Sequence, residues 1–535
     1  MKFLLVYPRT PDTYWSYRYA LPFIGKKALM PPLGLATIGA MIPAGHDLRV
    51  VDLNVEELDE DELREADLVL ASAMIVQKRS LLDVIRRCRS AGTEVAVGGP
   101  YATNCPDELP DADYLVLGEG EVSFPEFLTD YFAGTPRRVY ERTERPDITT
   151  SPVPRFDLLD MESYDTMPIQ FSRGCPFNCE FCDIVQLFGH RPRTKTPEQF
   201  VREMDAAWAT GFTGSLFVVD DNFIGNRRAV KALLGEVAEW QAAHGYPFNL
   251  STEASIDLAE DPELLDAMVA AGFSMVFVGI ETPVADSLES VGKKQNLRGD
   301  VAESVRRIQE RGIEVTGGFI IGFDSDPPEI FDLQVEFIQE LAIPTAMVGL
   351  LMALPRTQLY DRLEAEGRIL SQANGNNTHA TLLNFVPRLP ADVLEAGYRR
   401  VLERVYDPKR YFDRCLELLR RYPRRPTVRT QSASVKLREI TGFLHSLVRQ
   451  AFSRYGLSYL RYLVLGIARR PRLIVRVVTL AVLGHHYFTM TRKTVRQSRE
   501  RARARAVERP QRLTRREIGR TRMEPAASTP MALSE

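Results

Sequence analysis

The 535-residue sequence predicts an α/β protein: an open parallel sheet, then a partial (β/α)6 barrel, then a helical, basic C-terminal region. Three observations predict this. Short apolar runs alternate with amphipathic stretches over roughly the first 130 residues, a second such series follows, and after about Pro390 the strand-like runs stop. The length exceeds what one core supports, so several domains are expected: 1–136, a linker at 137–166, 167–390 and 391–535.

In the first unit the strands are KFLLVYP, DLRVVDL, DLVLASA, EVAVGG and YLVLGEG. Helical patterns such as PLGLATIGAMIPAG and SLLDVIRRCRSAG lie between them. Small residues close three strands: Ser72, Gly98-Gly99 and Gly118-Glu119-Gly120. In a Rossmann-like sheet that edge is where loops diverge and leave a crevice for a ligand. Prolines and charges without periodicity make 137–166 read as a linker. The second unit has six strand candidates, IQFSRGC, SLFVVDDNF, NLSTEAS, MVFVGIET, VTGGFIIGF and AMVGLLMALP, as expected of a TIM-type partial barrel with its site at the strand C-termini.

Met1-Lys2 leads straight into an apolar strand pattern with no secretory signal, so the cytoplasm is the expected compartment. The net charge of −3 hides an asymmetry: from Arg421 to Glu535 there are 26 Lys+Arg against 6 Asp+Glu. An acidic body with a basic appendage points to an anionic partner. LSYLRYLVLGIARRPRLIVRVVTLAVLG holds two apolar segments, each too short for a bilayer span. They read equally as helices packed on the body or as helices lying in a membrane interface. The stretch from Arg492 to Arg522 reads as a solvated, partly helical arm.

Six cysteines in so long a chain do not make a disulfide framework, but three fall within SRGCPFNCEFCDI as Cys175-x3-Cys179-x2-Cys182. Three thiolates from one tight loop can each take one iron of a cubane, leaving the fourth iron open to an exchangeable ligand. A closed zinc site would need a fourth ligand, usually from a second cysteine pair. None is present, and His190 stands eight residues on. Cys88, Cys105 and Cys415 read as small buried hydrophobes.

The segment resembles the signature of the radical S-adenosylmethionine (SAM) superfamily, over about residues 167–390. The resemblance implies a 4Fe–4S cluster on Cys175, Cys179 and Cys182, SAM chelated at the open iron, and reductive cleavage to a 5′-deoxyadenosyl radical. It implies Phe181 beside the adenine, Asp220 and Asp221 near the methionine amine, Glu281 near ribose or methionine, and Gly318-x-Ile320-x-Gly322 as an adenine-side strand. Where relatives have a Gly-Gly-Glu type turn this chain has Asp220-Asp221-Asn222. Arg193 reads as a partner for a carboxylate or phosphate, or as an exposed loop arginine.

The order of units, with MPPLGLATIGAMIPAG, AVGGPYAT and LGEGE, is similar to the cobalamin-dependent class of radical SAM enzymes. That resemblance implies cobalamin against Ser72, Gly98, Gly99, Gly118 and Glu119. Many such domains carry Asp-x-His-x-x-Gly after the second strand; here Asp52-Leu53-Asn54 has no histidine, so cobalamin is expected without one on its lower face.

RGCPFNCEFCDIVQLFG…PRTKTPEQ is typical of the group that contains the hopanoid C-methylases. The implied reaction is methylation of an unactivated carbon through methylcobalamin and the 5′-deoxyadenosyl radical, on a small-molecule or lipid substrate. A reductase, ferredoxin or flavodoxin would supply electrons, and the tail would meet an anionic membrane surface. The competing readings are a cyclase, oxidase or rearrangement enzyme with the same cofactors, and a nucleic-acid binding or modifying protein using its basic tail. The tail's few aromatics, Tyr455, Tyr459, Tyr462 and Tyr487, make nucleic acid the weaker expectation.

Overall fold

The computed structural model describes residues 1–376, 378, 383–423 and 433–520. The first sheet holds β1 (Lys2–Tyr7), β2 (Asp47–Asp52), β3 (Leu68–Ser72), β4 (Val95–Gly98), β5 (Tyr114–Leu117) and β6 (Val139–Glu141). All pair in parallel in the order β2-β1-β3-β4-β5-β6. Along β1, Leu4 and Val6 point to one buried layer and Phe3 and Leu5 to the other. This is the double burial that a parallel sheet covered by helices requires. The strand order reverses at β1, between β2 and β3, which opens a crevice at the C-terminal edge.

β6 corrects the reading of 137–166 as a plain linker. Its three residues carry too little apolar pattern to announce a strand, yet they complete the sheet edge beside β5. The rest of that stretch is a packed strap, with Ile148, Phe156 and Tyr164 buried.

The second unit comprises β7 (Thr166–Ile169), β8 (Ser172–Arg173), β9 (Arg193–Thr194), β10 (Gly214–Val218), β11 (Phe248–Glu253), β12 (Phe273–Glu281), β13 (Glu314–Ile321) and β14 (Ala346–Leu350). β7 and β10 to β14 form a parallel sheet in which each strand lies beside its predecessor, an open six-stranded partial barrel. On β12, Val276, Val278 and Ile280 are buried beneath the outer helices, while Met275, Phe277 and Gly279 face inward half-buried. β8 and β9 pair antiparallel and close the base of the loop that carries the three cysteines.

The strands then give way to the helices Ala391–Val405, Pro408–Arg421, Ala433–Ala451, Gly456–Arg469 and Ile474–Arg520. They cover the exposed edge strand β14, whose unpaired carbonyls need partners. Tyr398 donates to the Val348 carbonyl (2.9 Å), and the buried Arg414 Nε donates to Ile343 O (3.0 Å) just before the strand. The Pro471–Ala504 segment is long and apolar enough by composition to cross a membrane. Yet Val477, Leu480, Ala481, Tyr487 and Phe488 within it are buried in the main core. Tyr455, Tyr459 and Tyr462 are buried too, so they offer no face for base stacking. The last part of the basic arm, residues 521–535, and the basic stretch 424–432 lie outside the described residues.

A long loop after β1 ties the three units together. Trp15 packs on Phe277 inside the barrel (ring centroids 5.1 Å apart). Tyr14 shares a hydrogen bond with Thr491 (2.9 Å), and Asp12 pairs with Lys493 (2.7 Å).

Just after β9, Lys195 forms a buried ion pair with Glu203. Glu203→Ala leaves the ammonium without a counter-charge in the core. It should destabilise the protein by about 3–5 kcal/mol, read as a lowered midpoint in urea unfolding.

Candidate functional site

A cavity of about 650 Å³ opens at the C-terminal edge of the first sheet. Ser72, Gly98, Gly99, Gly118 and Glu119, all singled out in the sequence, border it. Gly99 has φ +86°, and a Cβ there would fall on Ser72 Oγ, so only glycine lets the backbone turn here. Leu33, Ile38, Met41 and Phe124 supply an apolar wall. The opposite wall belongs to the second unit: Gln170, Arg173, Asp183, Ile184, Leu187, Lys195 and Asp221. No histidine is among the bordering residues, and the Asp52–Asn54 turn is held elsewhere, with Tyr164 donating to Asp52 (2.9 Å).

Glu119 borders the cavity, and its carboxylate is held by arginines of the same chain. Arg173 donates to Glu119 Oε2 (2.8 Å) and to both oxygens of Glu121 (2.6 and 2.9 Å). Arg193 donates to Glu119 Oε1 (2.7 Å) and to Pro146 O (2.7 Å). All four side chains are largely buried. Arg193 thus does meet a carboxylate, one within the chain. Burial pushes the Glu121 carboxyl up, but its bonds with Arg173 and Ser151 outweigh that and hold it down at about 2.

The cysteine loop follows β8 directly. Cys175, Cys179 and Cys182 are half-exposed and unbridged, whereas Cys88, Cys105 and Cys415 are buried. Cys182 N donates to Cys179 O (3.1 Å), tightening the turn. Among the described residues no three His, Cys, Asp or Glu side chains converge where a single ion would sit. Thiolates that each take a different iron of a cubane need no such convergence. The surroundings suit an anionic iron–sulfur group. Lys293 pairs with Glu281 (2.7 Å) and hovers 5.9 Å from the Phe181 ring. Gln295 Nε2 points at Cys179 Sγ (3.8 Å), and its Oε1 is buried without a partner. Burial opposes the Lys293 charge, but Glu281 and the neighbouring Cys179 and Cys182 sulfurs hold its pKa above the ordinary lysine value.

The remaining expectations divide. Asp220 is buried, and it accepts from Phe171 N, Ser172 N and Ser172 Oγ (2.8, 2.8 and 2.6 Å). Through these three bonds it braces the approach to the cysteine loop. Asp221 accepts from Gly174 N (3.2 Å) and borders the cavity. Desolvation, only partly offset by the Gly174 amide, pushes its carboxyl up to about 7. Glu281 sits at φ +67°, a rare backbone state for a non-glycine residue, with its carboxylate taken by Lys293. Phe181 leans on a small apolar cluster with Phe323 and Ile320. A Cβ on Gly318 would meet the Phe277 ring at 2.8 Å, and Gly322 (φ +110°) turns against Leu394 and Leu351. Both glycines are therefore required by packing, whatever else they meet. Sequence reasoning missed Arg173, Glu121, Lys293, Gln295 and Glu253. Desolvation, then repulsion by Asp221 and Asp220, pushes the Glu253 carboxyl up to about 8.

Comparison with known proteins decides the family. Residues 27–128 match the B12 binding domain, 169–337 the radical SAM superfamily and 357–500 a domain of unknown function, DUF4070. An uncharacterised methyltransferase of Synechocystis sp. is 42% identical over 93% of this chain and 93% of its own. The hopanoid C-2 methylase of Rhodopseudomonas palustris is 34% identical over 92% and 94%. The chain belongs to the B12-binding radical SAM family. This radical SAM enzyme also shares its fold with two solved structures that hold cobalamin. The methyltransferase TsrM of Kitasatospora setae covers 82% of this chain and 98% of its own (TM-score 0.56, 18% identity). OxsB covers 95% and 81% (TM-score 0.58, 14% identity).

Arg173→Met should leave Glu121 buried without its arginine, while Glu119 keeps Arg193, at a cost of about 3–5 kcal/mol in denaturant unfolding. The folded Glu121 value lies below the unfolded value of 4.5. Its contribution is therefore fully present above pH 4.5 and is lost as pH falls toward about 2. Glu121→Gln should flatten that part of the acid-unfolding curve.

Proposed function

We propose that this enzyme transfers a methyl group to an unactivated carbon of a small molecule, with a hopanoid-like lipid as the expected class. The observation that carries the reading is the shared wall. The cavity at the first sheet's glycine-lined edge is bordered by Asp183 and Ile184, the two residues that follow Cys182. Two reactive groups held there would lie side by side. The methyltransferase names of the Synechocystis and Rhodopseudomonas relatives, each matched over nearly its whole length, supply the reaction class.

In this reading Cys175, Cys179 and Cys182 hold the 4Fe–4S cluster, and the cavity takes cobalamin against Ser72, Gly98, Gly99 and Gly118. When bound, the cluster and cobalamin supply reductive cleavage of SAM and a transferable methyl group. The chain's own residues position and shield. Lys293 and Gln295 place a cation and an amide donor beside the cysteine loop. Asp220 fixes the backbone at Phe171 and Ser172, and so the loop's entry. The Leu33, Ile38, Met41 and Phe124 side chains give the cavity an apolar wall. Asp221 and Glu253, with raised pKa values, can hold protons near neutral pH and so avoid stacking negative charge against the loop. A reductase, ferredoxin or flavodoxin of the cytoplasm supplies the electrons.

Anaerobic purification with iron, sulfide and cobalamin tests the reading. About four irons and one cobalt per chain are expected, and Cys179→Ala should abolish the iron while sparing the cobalt. With methyl-labelled SAM the product should gain one labelled methyl; a product without label would point to cyclisation or oxidation instead. Lys293→Met should make the cluster harder to reduce, because a buried cation beside it is lost. A redox titration followed by electron paramagnetic resonance reads that shift.

A further inference from the structure

We infer that the end of the C-terminal helical domain formed by the helices Ala433–Ala451 and Gly456–Arg469 is a docking surface for an anionic lipid bilayer. On the first helix and just past it, Leu444, Val448 and Phe452 recur at four-residue spacing and are exposed. On the second, Leu457, Leu460 and Val464 do the same at three and four residues. Ile474 and Val475, at the start of the last helix, are exposed as well. Phe452 and Leu457, on either side of the turn between the two helices, are 90% and 88% exposed, more than any other large apolar residue of the described chain. Single exposed leucines are ordinary; a row of eight apolar side chains over 32 residues is an interaction surface.

The charge around it names the partner. From Thr441 to Val475 there are six arginines (Arg449, Arg454, Arg461, Arg469, Arg470 and Arg472) and no aspartate, glutamate or lysine. Arg449, Arg454, Arg461, Arg469 and Arg472 are exposed. A second copy of the chain would set these cations against one another. Arg461 is held by Asp413 (2.8 Å), and an apolar protein partner would leave the others uncompensated. A bilayer carrying acidic headgroups satisfies both halves, since the apolar tips enter the acyl boundary while the guanidinium groups stay at headgroup level. The surface differs from the segment that hydropathy selects. The last helix spends much of its apolar side on the protein core, whereas the two preceding helices bury one apolar side there (Tyr459, Tyr462, Leu463) and carry a second row outward.

The test uses the full chain and vesicles, with no substrate or cofactor, so its failure is separable from failure of the methyl-transfer reading. Flotation with vesicles of phosphatidylcholine containing phosphatidylglycerol should carry the protein up, and pure phosphatidylcholine should carry less. Phe452→Asp and Leu457→Asp should each weaken binding roughly tenfold or more, the value of one buried large apolar side chain. Their unfolding midpoints should not change, since neither side chain is packed. Arg454→Glu should weaken binding to the anionic vesicles only. Equal flotation of wild type and the two aspartate variants would overturn the inference, as would no flotation of the wild type. It would equally be overturned if the aspartate substitutions converted a lipid-free dimer to monomer in light scattering, which would assign the face to a second copy.

Discussion

The site depends on a buried exchange of charge between two domains. Arg173 and Arg193 come from the short β8–β9 pair at the base of the cysteine loop, and Glu119 and Glu121 from the turn that ends the first sheet's fifth strand. Neither pair could remain desolvated alone, because an unpaired buried charge costs several kcal/mol. Bidentate guanidinium–carboxylate geometry also fixes angle as well as distance. The two domain edges are therefore registered against each other at the point where the cavity and the cysteine loop meet. Asp220 extends the same logic along the chain by pinning the backbone amides at Phe171 and Ser172.

Local pattern made much of this legible. Apolar runs closed by glycine gave the sheets and the edge where the cavity lies, and the tight cysteine spacing stood out without any structure. Partners distant in sequence were not legible. Arg173 and Glu121 are 52 residues apart, and nothing beside either announces the other. The internal bonds of Asp220 were illegible for a related reason: a carboxylate at a strand end looks the same whether it awaits a ligand or accepts its own chain's amides. Gly318 and Gly322 fit an adenine-side pattern, yet Phe277, Leu351 and Leu394 explain their size. β6 was invisible because three residues at a sheet edge carry no periodicity.

The helical domain illustrates the limit of composition. The last helix supplies the spine of a protein core, while the two before it keep Leu444, Leu457 and Leu460 in solvent. Hydropathy selects the last helix, and only its packing shows that much of it is core.

The loop after β1 has a consequence for descent. Trp15 lies in the barrel, while Tyr14 and Asp12 are bonded to the final helix, although all three belong by sequence to the first domain. A recombination junction placed between the first two domains would separate residues that pack against one another. A swap that keeps these contacts has to carry this loop together with the barrel and helices it enters.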